Sequence, residues 1–154
     1  MLYKLLDLHR VQSKSKSCLE LSVPVPPSVN HMYYNTRGGG KRLTKLAETY
    51  LQRVRAYAKQ CIEEQGWAVP EKGVWRKMEL VFYFPDKRIR DSHNCLKILL
   101  DALEGACFIN DYYIVPRILT VELDKENPRT LVRFTHITDK DRQKSLQGFA
   151  NMVN

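Results

Sequence analysis

The residues best suited to chemistry lie in PDKRIRDSHNCLKILLDALEG, residues 85–105, and in FINDYYI, residues 108–114. Asp91 stands just ahead of a helical pattern, and His93 falls in its first turn. His93, Lys97 and Asp101 are spaced i, i+4, i+8, and Asn94, Lys97 and Asp101 are spaced i, i+3, i+7, so these side chains share one helix face. Leu96, Leu99, Leu100 and Leu103 supply the apolar face. A hard cation such as Mg²⁺ takes carboxylate oxygens and keeps several of its waters. Asp91 can supply one carboxylate and Asp111, in the loop after the helix, a second. A metal between them would polarise a phosphoryl oxygen and lower the pKa of an attacking water. Lys97 would offset charge developing on the phosphate. Each residue also has an ordinary role open to it. Asp91 can simply cap the helix. Lys97 and Asp101 can form a surface pair worth about 0.2–0.5 kcal/mol. Asp111 can be a turn residue, and His93 a partly buried polar side chain.

Elements around this stretch must position it. CLELSVPV, residues 18–25, alternates in polarity and then meets prolines, which reads as an edge strand. PVPPSVN follows as an extended turn, and Tyr33 to Leu43 reads as a hairpin with Gly38, Gly39 and Gly40 at its tip. Thr44 is placed to cap a long helix over 45–65, with Leu46, Tyr50, Val54, Tyr57 and Cys61 turned inward and Gly66 ending it. MELVFYF, residues 78–84, is too apolar for an edge strand. The second helix runs from a cap at Asp91 or Ser92 to about Glu104, with Gly105 beyond it. Strands follow over 114–123 and 129–135, with KENP at 125–128 as their hairpin turn. If the strand at 78–84 pairs with that at 114–123, Asp91 and Asp111 are expected at the same sheet end. Residues 139–150 can form a short helix with an acidic start. The order implies an α+β, or mixed α/β, domain: a small mixed sheet with its two main helices on one face. Residues 1–17 read as a flexible lead-in, 18–136 as a single domain and 137–154 as a tail.

The chain has 154 residues, enough for one core, with 25 Lys and Arg against 17 acids, a net charge of +8 and a pI near 9.4. The excess is local. Seven basic residues against Glu48 give segment 37–59 a net +6, including Arg37, Lys41, Arg42, Lys45 and Arg53. Lys87, Arg88 and Arg90 precede Asp91. A solvated helix face is the ordinary reading of such a run. Tight clustering with Tyr33, Tyr34, Tyr50 and Tyr57 interleaved favours a surface for a nucleic-acid backbone. No run of 18 apolar residues argues for a membrane span. The N-terminal stretch carries Asp7 and His9 and does not read as a secretory leader. Cys18, Cys61, Cys95 and Cys107 form no Cys-x-x-Cys motif, so reduced thiols and a cytoplasmic location are expected.

Several ordered motifs together resemble the RusA-like Holliday junction resolvases, endodeoxyribonucleases often carried on prophages. The resemblance covers roughly Leu21 to Thr135. PVPPSVNHMYY is similar to the family's Pro-x-Pro-Pro-Ser-x-Asn opening. PDKRIRDSHNCLKILLDALEG resembles its Pro-Asp-basic-Arg-Asp-x-Asp-Asn-x-x-Lys-x-x-x-Asp-Ala-Leu segment. FINDYYI resembles its hydrophobic-x-Asp-Asp segment. The resemblance implies a compact dimeric domain that cuts four-way DNA junctions in recombination and repair. It makes Asp91 and Asp111 metal-binding acids and puts Lys97 near the scissile phosphate. It makes Asn94 and Asp101 supporting residues, and it implies Mg²⁺, with Mn²⁺ as a further candidate. His93 departs from the pattern, standing where the family has its second aspartate. Imidazole suits Mn²⁺ and other transition metals better than Mg²⁺. His93 can therefore be a metal ligand, a general base on water or a holder of metal-bound water. Paired symmetric cuts call for a homodimer with one active site at each strand. The basic segments 37–59 and 86–90 would line the DNA surface. Two other functions remain open: a junction-binding module without catalysis, signalled by His93, and a small metal-dependent phosphoesterase acting on nucleotides.

Overall fold

A computed structural model describes residues 17–88 and 90–152. The flexible lead-in expected at 1–17 therefore lies outside the described residues except for Ser17. A four-stranded mixed sheet carries the core, in the order β1 (Cys18–Val23), β6 (Arg129–His136), β4 (Arg76–Phe84), β5 (Ile114–Leu123). β1 and β4 both run antiparallel to β6, while β5 runs parallel to β4. A separate two-stranded hairpin is formed by β2 (Tyr33–Asn35) and β3 (Lys41–Leu43). No helix among the described residues is long and apolar enough to cross a membrane.

β4 takes the centre because every second side chain is apolar and large. Met78, Leu80, Phe82 and Phe84 are buried on one face, while Lys77, Glu79, Val81 and Tyr83 are half-buried on the other. Helices α1 (Lys45–Gln65) and α2 (Ser92–Leu103) pack on each other, and their buried side chains join the inward side of the sheet in one core. The mixed sheet and its helices are thus the architecture that the sequence pattern implies.

α1 starts where expected. The Thr44 side chain accepts from the Ala47 amide, and the helix ends at Gly66, whose φ of 65° is a left-handed value that favours glycine. Its inward face is rotated from the expected one. Ala47, Tyr50, Val54, Ala58 and Cys61 are buried, whereas Leu46 and Tyr57 are exposed. The small Ala47 and Ala58 take the inward positions, each one residue on from the larger Leu46 and Tyr57. Tyr50 is also withdrawn from the expected aromatic and basic surface: it is buried and donates to the Pro24 carbonyl at 3.1 Å.

The segment KENP is not a hairpin turn. The strands that it joins, β5 and β6, lie on opposite sides of β4. The 124–128 connection must cross the end of β4, roughly 10 Å for two inter-strand spacings. It is pinned there by the Asp124 amide donating to the Phe84 carbonyl at 2.8 Å, and by Arg129 donating to Asp124 at 2.6 Å. Both neighbours compete for the most apolar strand, and burial of β4 outweighs simple hairpin closure.

α3 (Asp139–Gln147) follows β6, with a capping box between Thr138 and Asp141. Arg117 of β5 donates to Ser145 of α3 at 3.2 Å. Cys61, Cys95 and Cys107 are buried, and burial pushes the Cys107 thiol up to about 12.

Candidate active site

α2 organises the site from its first residue. Asp91 is its N-cap, and Asp91 Oδ1 accepts from the His93 amide at 2.9 Å. His93 Nδ1 lies 3.5 Å from the same oxygen, and the His93 side chain is 85% exposed. Among the described residues both contacts fall on Oδ1, which leaves Oδ2 turned to other partners. The capping role and the chemical role of Asp91 are thus compatible.

The opening motif seats this end of the helix. Val25 packs against the cluster of Phe82, Phe84 and Cys95, and the Cys95 thiol points to the Pro26 carbonyl at 3.8 Å. Residues 29–31 pack against α2. The His31 carbonyl then accepts from the Thr44 hydroxyl at 2.8 Å, linking the start of α1 to the same point. Prolines in this segment suit an extended chain that needs few ladder hydrogen bonds.

One turn further along α2, Lys97 donates to Asp101 across 2.6 Å. That hydrogen bond raises the Lys97 pKa above its ordinary value. Partial burial opposes the shift, and the charges of Asp101, Asp111 and Tyr33 add to it. The charge of Asp111 thus reaches Lys97 as a lesser contribution behind the Asp101 bond. Arg55 of α1 donates to the Asp101 carbonyl at 2.9 Å and locks the two helices together here. On the inner side Cys95, Ile98, Leu99, Ala102 and Leu103 are buried, while Leu96 and Leu100 are half-buried. The apolar face is wider than four leucines suggest.

Asp111 opens a short 3-10 turn, Asp111–Tyr113, capped by the Asn110 side chain accepting from the Tyr112 amide at 2.8 Å. Strand pairing does not bring Asp91 and Asp111 to one sheet end. β4 and β5 are parallel, with Arg76 opposite Ile114 and Phe84 opposite Leu123. Asp91 follows the end of β4, whereas Asp111 precedes the start of β5. What connects the two acids is α2, which runs back between those ends, together with Lys97 on it. Among the described residues no three His, Cys, Asp or Glu side chains gather into a metal-binding group. The structure therefore pairs Asp91 with His93, and Lys97 with Asp101, and sets Asp111 within the field of Lys97.

The donor set fits a divalent cation that keeps most of its water, since such ions are commonly held by only one or two carboxylates. Asp91, with His93 beside it, can supply one, whereas Asp111 stands beyond the other end of α2.

The loop ahead of Asp91 has an internal clamp. Arg90 donates to Asp86 Oδ1 at 2.6 Å and Oδ2 at 3.1 Å, and Arg88 donates to Asp86 Oδ2 at 3.0 Å. Arg90 also lies 5.1 Å from the Phe84 ring centroid. The bonds from Arg90 first, and then from Arg88, hold the Asp86 carboxyl well below the usual carboxylate range. Arg90 is thus committed within the protein, while Lys87 and Arg88 are exposed. Arg37, Lys41, Arg42, Lys45 and Arg53 are exposed along the hairpin and α1, as are Tyr33 and Tyr34. Asp86, Arg55 and Asn110 were missed in the sequence. Asp86-x-Arg88-x-Arg90 and the Asn-Asp step at 110–111 were the signals available for two of them, whereas Arg55 could be found only from the packing of the helices.

A family model described as Endodeoxyribonuclease RusA matches residues 23–135. The crossover junction endodeoxyribonucleases RusA of Escherichia coli strain K12 and of Shigella sonnei are each 29% identical to the chain over 106 residues, 65% of this chain and 83% of the relative. The corresponding protein of Enterobacteria phage 82 matches with the same identity and coverage. A match across most of the chain, over the very elements that seat α2, shows that the protein belongs to the RusA endodeoxyribonuclease family.

Proposed function

We propose that the chain is a metal-dependent, structure-selective endonuclease that resolves four-way DNA junctions by paired symmetric cuts, in recombination and repair. The observation that carries the reading is the α2 constellation: Asp91 capping the helix through one oxygen, and Lys97 held by Asp101 with the charge of Asp111 adding to it. In this reading Asp91 and Asp111, with His93 adjacent to the first, would hold Mg²⁺ or Mn²⁺, which would polarise the phosphate and lower the pKa of water. Lys97 offsets charge on the scissile phosphate, and Asp101 and Asn94 keep α2 and Lys97 in place. His93 takes the proton of the attacking water, with its exposed ring oriented by Asp91. The products carry a 5′-phosphate and a 3′-hydroxyl.

The hairpin and α1 cations, with Lys87 and Arg88, bind the flanking backbone. Arg90 acts from behind, shaping the loop through Asp86. Two copies are needed to cut two strands symmetrically. The exposed apolar residues Leu119, Val121 and Leu123 on edge strand β5 support a surface covered by a second copy.

His93, in place of the family's aspartate, favours a second reading: a module that binds junctions with little or no cutting. Cleavage of a labelled four-way junction, with Mg²⁺ or Mn²⁺, separates the two. The wild type should cut, and Asp91→Asn and Asp111→Asn should bind without cutting. Normal cutting by either variant would show that the assigned acids are wrong.

A further inference from the structure

The start of the β4–β5 pair carries an aromatic cluster that the core does not require. Trp75 immediately precedes β4, and Tyr112 and Tyr113 immediately precede β5, so the parallel register sets them side by side. Trp75 lies 5.5 Å from Tyr112 and 5.6 Å from Tyr113, between ring centroids. Tyr112 and Tyr113 meet edge to face at 5.1 Å. Tyr112 is 69% exposed, although burial would favour an inward ring. It follows Asp111 directly, and its amide is fixed by Asn110.

A cavity of about 510 Å³ opens beside Trp75 and runs between β5 and α3. Lys77, Arg117 and Arg142 line it against one acid, Asp141, whose carboxyl is engaged by Thr138. Lys77 pairs with Glu79 at 3.3 Å, which leaves Arg117 and Arg142 as the cations best placed for an anion. The basic segments at 37–53 and 87–88 are separate from this groove.

We propose that Tyr112 and Trp75 form a stacking platform for one unpaired nucleobase of branched DNA, with its neighbouring phosphates drawn toward Arg117 and Arg142. Aromatic faces beside cations are the chemistry that holds single-stranded nucleotides without reading their sequence. Paired duplex hides its base faces, whereas bases at a branch point can leave the stack at modest cost. Because the platform adjoins Asp111, the captured base would fix which phosphate reaches that acid. This inference rests on the proposed action on branched DNA, and it adds a determinant of where the cut falls.

The test uses the full chain in a metal chelator, so that no DNA is cut. A four-way junction and a single-stranded oligonucleotide each carry 2-aminopurine, whose fluorescence drops when it stacks on protein rings. Wild type should quench the probe next to the branch point and in the single strand. Tyr112→Ala should lose the quenching and bind the junction roughly tenfold more weakly. Tyr112→Phe should keep both properties, and affinity for fully paired duplex should not change. Circular dichroism checks that Tyr112→Ala is folded.

Unchanged quenching in Tyr112→Ala would overturn the platform, as would an equal loss of affinity for duplex. A shift from dimer to monomer in sedimentation would assign the cluster to a subunit interface instead. Wild-type quenching of both probes without any cutting, once Mg²⁺ or Mn²⁺ is restored, would sink the nuclease reading and leave the platform standing.

Discussion

Lys97 and Asp101 are joined by a 2.6 Å hydrogen bond one helical turn apart on α2, and the Asp101 carbonyl is in turn held by Arg55 of α1. A lysine tethered in this way presents its charge at a fixed place. The bond raises its pKa, so the charge and the stability it contributes are fully present below the ordinary lysine value. They are lost only as pH rises through the higher folded value. Asp101→Asn keeps the shape and removes the charge. Its alkaline limb of cleavage should begin at lower pH than in wild type, with junction affinity changed less than twofold. A pH–rate profile for both proteins checks this, and coincident alkaline limbs would show that Lys97 is not tuned by Asp101.

Asp91 has two jobs that substitution can separate. Asparagine caps helices about as well as aspartate, whereas alanine loses the cap at about 1 kcal/mol. Asp91→Asn should therefore melt within a degree or two of wild type and yet fail to cut. Asp91→Ala should lose both cutting and about 1 kcal/mol of stability. Thermal melts beside a cleavage assay distinguish the outcomes, and near-normal cutting by Asp91→Asn would leave the residue as a cap alone. His93→Asp, which restores the family's carboxylate, should shift metal preference from Mn²⁺ toward Mg²⁺. An unchanged preference would place His93 outside the metal's ligands.

The Asp86 clamp sets a different pH window. Because the Asp86 pKa lies far below that of a free carboxylate, its contribution is present above the ordinary carboxylate range. It disappears only as pH falls through the depressed folded value. The Arg90 guanidinium resonances in NMR spectra should thus stay sharp and protected at pH 4. Their collapse between pH 6 and 4 would contradict the clamp. Asp86→Asn should reduce cleavage while junction binding persists, since the arginines are released rather than removed.

Much of this arrangement was legible in the residues. Apolar content kept β4 from the sheet edge, Thr44 and Gly66 marked the ends of α1, and helical spacing put Lys97 and Asp101 together. The features that were not legible share one cause: they depend on neighbours far away along the chain. The inward face of α1 is decided by the elements packed against it, which bury Ala47 and Ala58 and leave Leu46 and Tyr57 exposed. The 124–128 segment looks like any polar turn, because nothing in it reports that β4 lies between the strands it joins. Placing Asp91 and Asp111 at one sheet end needed the direction of β5 as well as its pairing. Parallel pairing reversed the conclusion and made α2 the connector. Tyr112 reads as a loop residue in the sequence because its ring neighbour, Trp75, lies 37 positions earlier.

The exposed cations of the hairpin and α1 have a quantitative signature. If Lys41, Arg42 and Lys45 each neutralise a phosphate, their replacement by alanine removes counterion release at those phosphates. The slope of log affinity against log salt should then become shallower by about 0.9 for each phosphate left without its cation. All three side chains are exposed, at the hairpin strand β3 and the first residue of α1, so their removal should leave the fold intact. Cleavage at saturating protein should be preserved, because none of the three lies on α2. Titrations of a labelled junction from low to moderate salt measure the slope directly. A triple variant with an unchanged slope would remove this surface from the DNA path, and the loop cations Lys87 and Arg88 would be the next to test.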